Sequence, residues 1–289
     1  MPIATGYTVV PTLTLPIVVA PVDPIACGNV IMPLITLGGQ ILNSPITDSA
    51  GIAWVVQSLA GWDAADVRTT QTPRENDQGL FHETNYYGGR LIIAKGTFAT
   101  ATGNVAALMA ARQQLHSAVN ITGLALSPLV VTESPPKMCM VQLMSGCKDQ
   151  AASPVSFNFE IHLLAPDPRK YDPAPTTVNI AANTTATVTN NGNMESRPLL
   201  TITGGPLTDF YLSNLTTGQN LLFLVSLAPT DIFVIDMDFK SAYLNGVSAL
   251  ADIASGPSQW WTLVPGANHI EFTTLGTGNL AVQYSSAWV

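Results

Sequence analysis

Four histidines, three cysteines and a scatter of carboxylates are the residues of this chain able to do chemistry, and their spacing decides what they can do. His82 and Glu83 open the HE pair of a zinc peptidase, but a second histidine one helical turn on is needed to complete the metal site, and Tyr86 stands there. His116, His162 and His269 fall on a helix face and in two strands, where a solvated or hydrogen-bonded ring is the expected state. Cys27, Cys139 and Cys147 are odd in number and lack CxxC spacing, so buried free thiols are expected rather than a disulfide framework or a thiolate zinc site. There is no GxSxG elbow, and no glycine pair leads into the GK[ST] of a phosphate loop. Asp236 and Asp238 share a strand face and offer the two acids a glycosidase needs, at a separation that spacing alone leaves open. Trp260 and Trp261, with Tyr211, Tyr243 and Tyr284, supply aromatic faces that can stack on a sugar or fill a core. As strand neighbours the two tryptophans point to opposite sides. The expectation is no catalysis, with no catalytic, cofactor-binding or metal residues and no cofactor.

These residues must be positioned by strands. From Val155 to Leu163 apolar residues alternate with Ser156, Asn158, Glu160 and His162, the period of a half-buried strand. Pro166, Pro168 and Pro173 then deny backbone donors, and Arg169, Lys170 and Tyr171 lie between them, so the segment reads as a short, stiff, charged and accessible connector. Before it, prolines between Met1 and Pro45 interrupt short apolar runs such as Thr12 to Val19 and Asn29 to Ile35, as edge strands or extended arms require. Strands are expected at Ile52 to Leu59, Arg90 to Phe98 and Met138 to Leu143, with a polar loop at Thr69 to Gly79. One helix follows Asn104 as N-cap, with Val105, Leu108, Met109, Leu115 and Val119 near one face and Asn120 ending it in a left-handed conformation. After Pro175 ten short strands, from Thr176 to Tyr284 and including Gln259 to Leu263, are punctuated by glycines, which is the pattern of an antiparallel sandwich.

Composition narrows the partners. Charged residues make up 10% of the 289, and the net charge is -8 with 11 scattered Lys and Arg, which excludes phosphate-backbone binding. No uncharged apolar run is long enough to span a membrane, and no basic-then-apolar leader pattern opens the sequence. A surface this poor in charge suits a subunit that hides a large area in an assembly.

In chain order, GWDAADV, TPRENDQGLFHETNYYGGRLIIAKGTF, the helix containing LMAARQQL, FNFEIHLLAPDPRKYD, GNMESRPLLTITG and WWTLVPGANHIEF resemble the distal tail protein family of long-tailed (siphovirus) bacteriophages over nearly the whole chain. The DPRKYD joint and the late LxPGxNxIxF strand carry most of it. The resemblance implies a mainly β fold: an N-terminal ring-forming β domain over residues 1–172, with one helix at about 104–119, and a C-terminal galectin-like antiparallel sandwich over residues 173–289. It also implies a structural tail-tip protein and no enzyme. Six copies would form a hub ring connecting the tail tube protein to the tip, or tail-associated hub, proteins, with the tape-measure protein as a further partner. Its place would be the virion tail tip, after assembly in the host cytoplasm. The alternative is a carbohydrate-binding module contacting a host-surface glycan. Against it, the His-x-Asn-x-Arg and Trp-x-x-Glu-x-Arg patterns of sugar-binding galectins are missing, since Trp260 and Trp261 are followed by Thr262, Leu263 and Val264.

Overall fold

A computed structural model describes residues 33–289 apart from 70, 71, 80, 82, 83, 122, 124 and 257. The run at 12–19, most of that at 29–35, Cys27 and the His82–Glu83 pair therefore lie outside the described residues. The first part of the chain contains β1 (Ile35–Leu37), β2 (Gln40–Asn43), β3 (Ile52–Ala60), β4 (Val67–Arg68), β5 (Tyr86–Tyr87) and β6 (Arg90–Thr100). Then come α1 (Val105–Val119), β7 (Ser127–Val131), β8 (Lys137–Ser153), β9 (Ser156–Ala165) and β10 (Lys170–Tyr171). The main sheet runs β2-β1-β7-β8-β9-β6-β3, antiparallel throughout.

Its two end strands meet. The Ser44 N–H donates to the Trp54 carbonyl at 3.1 Å, and the Val56 N–H donates to Asn43 Oδ1 at 2.9 Å. The Asn43 amide also donates to the Pro33 carbonyl at 2.8 Å. One buried asparagine thus supplies the hydrogen bonds a ladder would have made, and the sheet closes on itself around a core in which Trp54 stacks on Phe98 and Phe98 on Phe157. Gly38 and Gly39, both at positive φ, make the tight β1–β2 turn.

The helix forms where expected. Asn104 Oδ1 accepts from the Ala107 N–H at 3.1 Å, and Leu108, Ala111, Leu115 and Val119 form its buried face. Two details differ. Met109 and Val105 lie on the exposed side, and Asn120 has φ −75°, so the helix ends without a left-handed residue. The fourth buried position is Ala111, small enough to let the helix lie close to the sheet.

Strand β8 runs well beyond the expected Leu143. Its far half carries polar and small residues with no alternation, because register shifts after Leu143 and Ser145 move the side chains off a strict period of two. An ionic latch holds it to the helix: Asp149 accepts from Arg112 Nε at 2.5 Å and pairs with His116 Nε2 at 2.8 Å. Its side chain is 6% exposed. Burial pushes the Asp149 carboxyl up, but the bonds and charges of Arg112 and His116 outweigh it and hold the group below its ordinary 3.8. A lowered carboxylate pKa contributes stability above the unfolded value and loses it as pH falls through the folded value. Arg112 and His116 are 44% and 42% exposed, so solvent screens the latch. Asp149→Asn should cost about 1 kcal/mol at neutral pH. The gap between the urea midpoints of the two proteins should shrink as pH falls below the ordinary carboxylate value of 3.8; a gap that stays the same from neutral pH into acid would mean the latch contributes nothing.

The later strands are β11 (Thr176–Ala181), β12 (Thr184–Asn190), β13 (Leu199–Thr203), β14 (Leu207–Asn214) and β15 (Gln219–Leu227). They are followed by β16 (Ile232–Asp236), β17 (Ser241–Leu244), β18 (Val247–Ser248), β19 (Gly266–Gly276), β20 (Asn279–Tyr284) and β21 (Ala287–Trp288). Two antiparallel sheets, β11-β20-β13-β16-β17-β18 and β12-β19-β14-β15, form the expected sandwich. Phe210, Phe223, Phe233 and Phe272, each from a different strand, meet at its centre with ring centroids 5.0 to 6.4 Å apart.

Gln259 to Leu263 is a correction, because it joins no sheet ladder. Trp261 and Leu263 are buried with the alternation of a strand, yet the segment from Ala249 onward lies along the outer edge of β15. The Ala254 N–H donates to the Leu222 carbonyl at 2.9 Å, and the Gln259 N–H to the Asn220 carbonyl at 2.6 Å. The edge is covered rather than extended.

Candidate functional site

The functional geometry is concentrated where the sandwich meets the closed sheet. Its base is Arg90. The inward row of β6 contains Ile92, Ala94 and Phe98, and Arg90 begins that row, so alternation alone carries a guanidinium to 1% exposure. Four donor contacts satisfy it there: Nη1 to the carbonyls of Gly61 at 3.0 Å and Trp62 at 2.6 Å, and Nε and Nη2 to that of Pro168 at 3.1 and 2.9 Å. The Trp62 carbonyl also accepts from Lys170 Nζ at 3.2 Å, and that ammonium lies 5.4 Å from the centroid of the Trp62 ring. Desolvation lowers the pKa of both cations. The joint is therefore not an accessible connector. Arg169 and Lys170 are 9% and 5% exposed, and β10 pairs with β8 on one side and β21 on the other. The physical reason is that the prolines shape the joint, while Arg90 holds its backbone against the sheet.

The sandwich contributes a strap. Residues 285–289 cross to the joint, with Ala287 opposite Tyr171 and Trp288 opposite Lys170. Asn190 fixes the crossing, its Oδ1 accepting from the N–H groups of Gly192 and Ala287 while its amide donates to the carbonyls of Met194 and Leu263. Gly192 lies against the strap so closely that a Cβ there would fall on the Ala287 backbone. The PGxN turn before β19 has its own lock: Gly266 is at φ +91°, and Asn268 donates to the carbonyls of Val264 and Gly266 while accepting from the Val264 N–H.

Across this junction runs an alternating row of charges. Arg169 Nη1 lies 3.5 Å from Asp167, and Arg169 Nη2 donates to Glu195 at 2.8 Å. Arg197 lies 4.0 Å from Glu195 and pairs with Asp238 at 2.5 Å. Tyr171 donates its hydroxyl to Asp167 at 2.6 Å. Burial first, then the neighbouring Asp167, drives that phenol's pKa well above its usual range. Beside the row is an open cleft of about 590 Å³, whose opposite wall is Arg68, Asn85, Tyr86 and Tyr87.

Residues 191–288 match the family model of the siphovirus-type tail component, C-terminal domain. That span contains nearly all of the strap, the PGxN turn and three of the five charged residues of the row, Glu195, Arg197 and Asp238. The C-terminal part of the chain is thus similar to the C-terminal domain of a siphovirus-type tail component. The fold of the chain agrees with that of the SPP1 Dit protein, gp 19.1, described as a paradigm of the hub adsorption apparatus in phages infecting Gram-positive bacteria. The TM-score is 0.66 at 13% identity, over 89% of this chain and 99% of that one. The phage P2 baseplate in its activated conformation, with calcium and with strontium, is a looser likeness: TM-score 0.45 in both, at 8% and 9% identity, over 81% of this chain and 90% of those. No curated protein matches the sequence.

In this chain the candidate chemical residues are dispersed. His116 is bound to Asp149, His162 Nε2 lies 2.6 Å from Glu160, and His269 Nδ1 lies 3.3 Å from the Thr187 hydroxyl. Bonds from His162 and then Lys95 hold Glu160 at about 2. Asp236 and Asp238 do not share a strand face, since β16 ends at Asp236. Its carboxylate accepts from the Asp238 and Phe239 N–H groups to close a turn, leaving Asp238 to Arg197. Cys139 is buried and Cys147 half-buried, and burial pushes both thiols up to about 11, far from reactive thiolates. Trp261 is buried and donates to the Leu212 carbonyl at 3.2 Å, while Trp260 packs against the same core, so neither is a free platform. Asn43, Arg90 and Asn190, which organise the structure, went unnoticed in the sequence, though an arginine on an otherwise apolar inward row is a legible signal for Arg90.

Proposed function

We propose that this chain is the hub ring of the tail tip: six copies that join the tail tube protein to the tip proteins, with the tape-measure protein as a further neighbour and no catalytic role. Residues 1–172 close the ring and residues 173–289 stand outside it as the sandwich. The observation that carries self-assembly is the far half of β8. From Gln142 to Ser153 the strand has β9 on one side and, among the described residues, no strand on the other. Such an edge presents unpaired N–H and C=O groups for pairing with another chain, and a repeated head-to-tail contact closes a ring when its rotation divides a full turn. The number six rests on the family resemblance, and the low surface charge agrees with burial in an assembly.

Lysines at Met144 and Ala152, both exposed on this strand, should block pairing without touching either core. The expected result is a drop from multimer to the single-chain mass, with the unfolding midpoint within about 1 kcal/mol of the parent. An unchanged multimer would remove β8 from the interface.

A further inference from the structure

We infer that the junction cleft is a binding site for a short, uncharged oligosaccharide. This goes beyond the hub reading and uses none of the surface that reading invokes. One wall is ready-made for hydroxyl recognition. Asp167, Arg169, Glu195, Arg197 and Asp238 alternate in sign and hold one another by ion pairs, and Glu195 is fixed further by the Thr262 hydroxyl at 3.1 Å. Planar groups fixed in this way offer donors and acceptors side by side, which suits vicinal hydroxyls and costs little reorganisation. The other wall is unspent. The side chains of Arg68 and Asn85 have no hydrogen-bond or ionic partner among the described residues, and Tyr86 is 64% exposed. A buried donor, Arg169 Nε, also has no partner among those residues.

Charge and shape select the ligand class. The lining contains three guanidinium groups, Arg68, Arg169 and Arg197, against three carboxylates, Asp167, Glu195 and Asp238, so neither an anion nor a cation is favoured. An exposed phenol ring beside planar polar groups matches a pyranose, which has an apolar C–H face and a rim of hydroxyls. The volume of about 590 Å³ lies inside the range of roughly 300 to 1,000 Å³ typical of small-molecule sites. The site is also distinct from the outer face of the sandwich on which Tyr211 lies.

The test is titration of the full chain with chitotriose and with maltotriose, followed by saturation-transfer NMR and calorimetry. At least one trisaccharide should bind. Tyr86→Ala and Arg68→Ala should each weaken it tenfold or more without moving the thermal midpoint, while Tyr211→Ala leaves affinity unchanged. Absence of binding by both sugars overturns the proposal. So does binding that survives Tyr86→Ala and Arg68→Ala, or binding that is lost with Tyr211→Ala, since the ligand would then sit elsewhere.

Discussion

Arg90→Ala should destabilise the protein by about 3 to 5 kcal/mol, the largest loss expected from any single side chain outside the two aromatic cores. The substitution leaves the carbonyls of Gly61 and Pro168 without the donor that satisfies them in a buried site, and leaves that of Trp62 to Lys170 alone. Each such orphan costs about 1 to 3 kcal/mol, and entry of water into the space returns part of it. Lys170 cannot compensate, because its ammonium reaches only the Trp62 carbonyl. Arg90→Lys should fall between, since a lysine keeps the charge but loses the fork that spans Pro168 on one side and Gly61 and Trp62 on the other. Against a total stability of about 5 to 15 kcal/mol for a domain, the alanine variant should be near unfolding. A shift in the guanidinium midpoint worth less than about 1 kcal/mol would show that the joint is held by something else.

The second large effect belongs to Gly192. Its φ is unremarkable, so the demand for glycine is steric: a Cβ meets the carbonyl, carbon and nitrogen of Ala287, all backbone atoms that no rotamer change can move. Gly192→Ala must therefore displace the strap, and with it the pairing of Ala287 to Tyr171 and Trp288 to Lys170. A loss of about 2 to 4 kcal/mol is expected. The readout that separates strap release from general loosening is limited trypsin digestion. In the parent the bonds after Arg169 and Lys170 should resist while the exposed Arg74 is cut. In the variant the joint should be cut as well. Cleavage at Lys170 in the parent would contradict the burial on which this account depends.

Much of this architecture could be read from the sequence wherever one local rule acted alone. The alternation from Phe157 to Leu163, the Asn104 cap and the glycine-punctuated strands after Pro175 each obey a period or a cap that no neighbour overrides. Failures came where tertiary partners decide. The prolines of the joint signalled a stiff connector, but its burial depends on Arg90, some 80 residues earlier. The stretch at Trp260 to Leu263 kept a strand's burial rhythm without a strand's ladder, because it takes part in an isolated bridge between Leu263 and Ser196 and in single contacts from Trp261 to Leu212 and from Asn214 to Thr262. The motifs behind the family resemblance, GW, GGR, DPRKYD, GNMESR and PGxN, proved to be neighbours around one junction, which sequence order alone does not reveal. Their role is to fix the sandwich against the closed sheet.

The central claim is that this chain closes into a ring of six, and native mass spectrometry of the full chain tests it most directly. The account predicts a dominant species at six times the 30.5 kDa chain mass, with no ladder of intermediate sizes. A single-chain species at every concentration, or an open series of unlimited multimers, would contradict it.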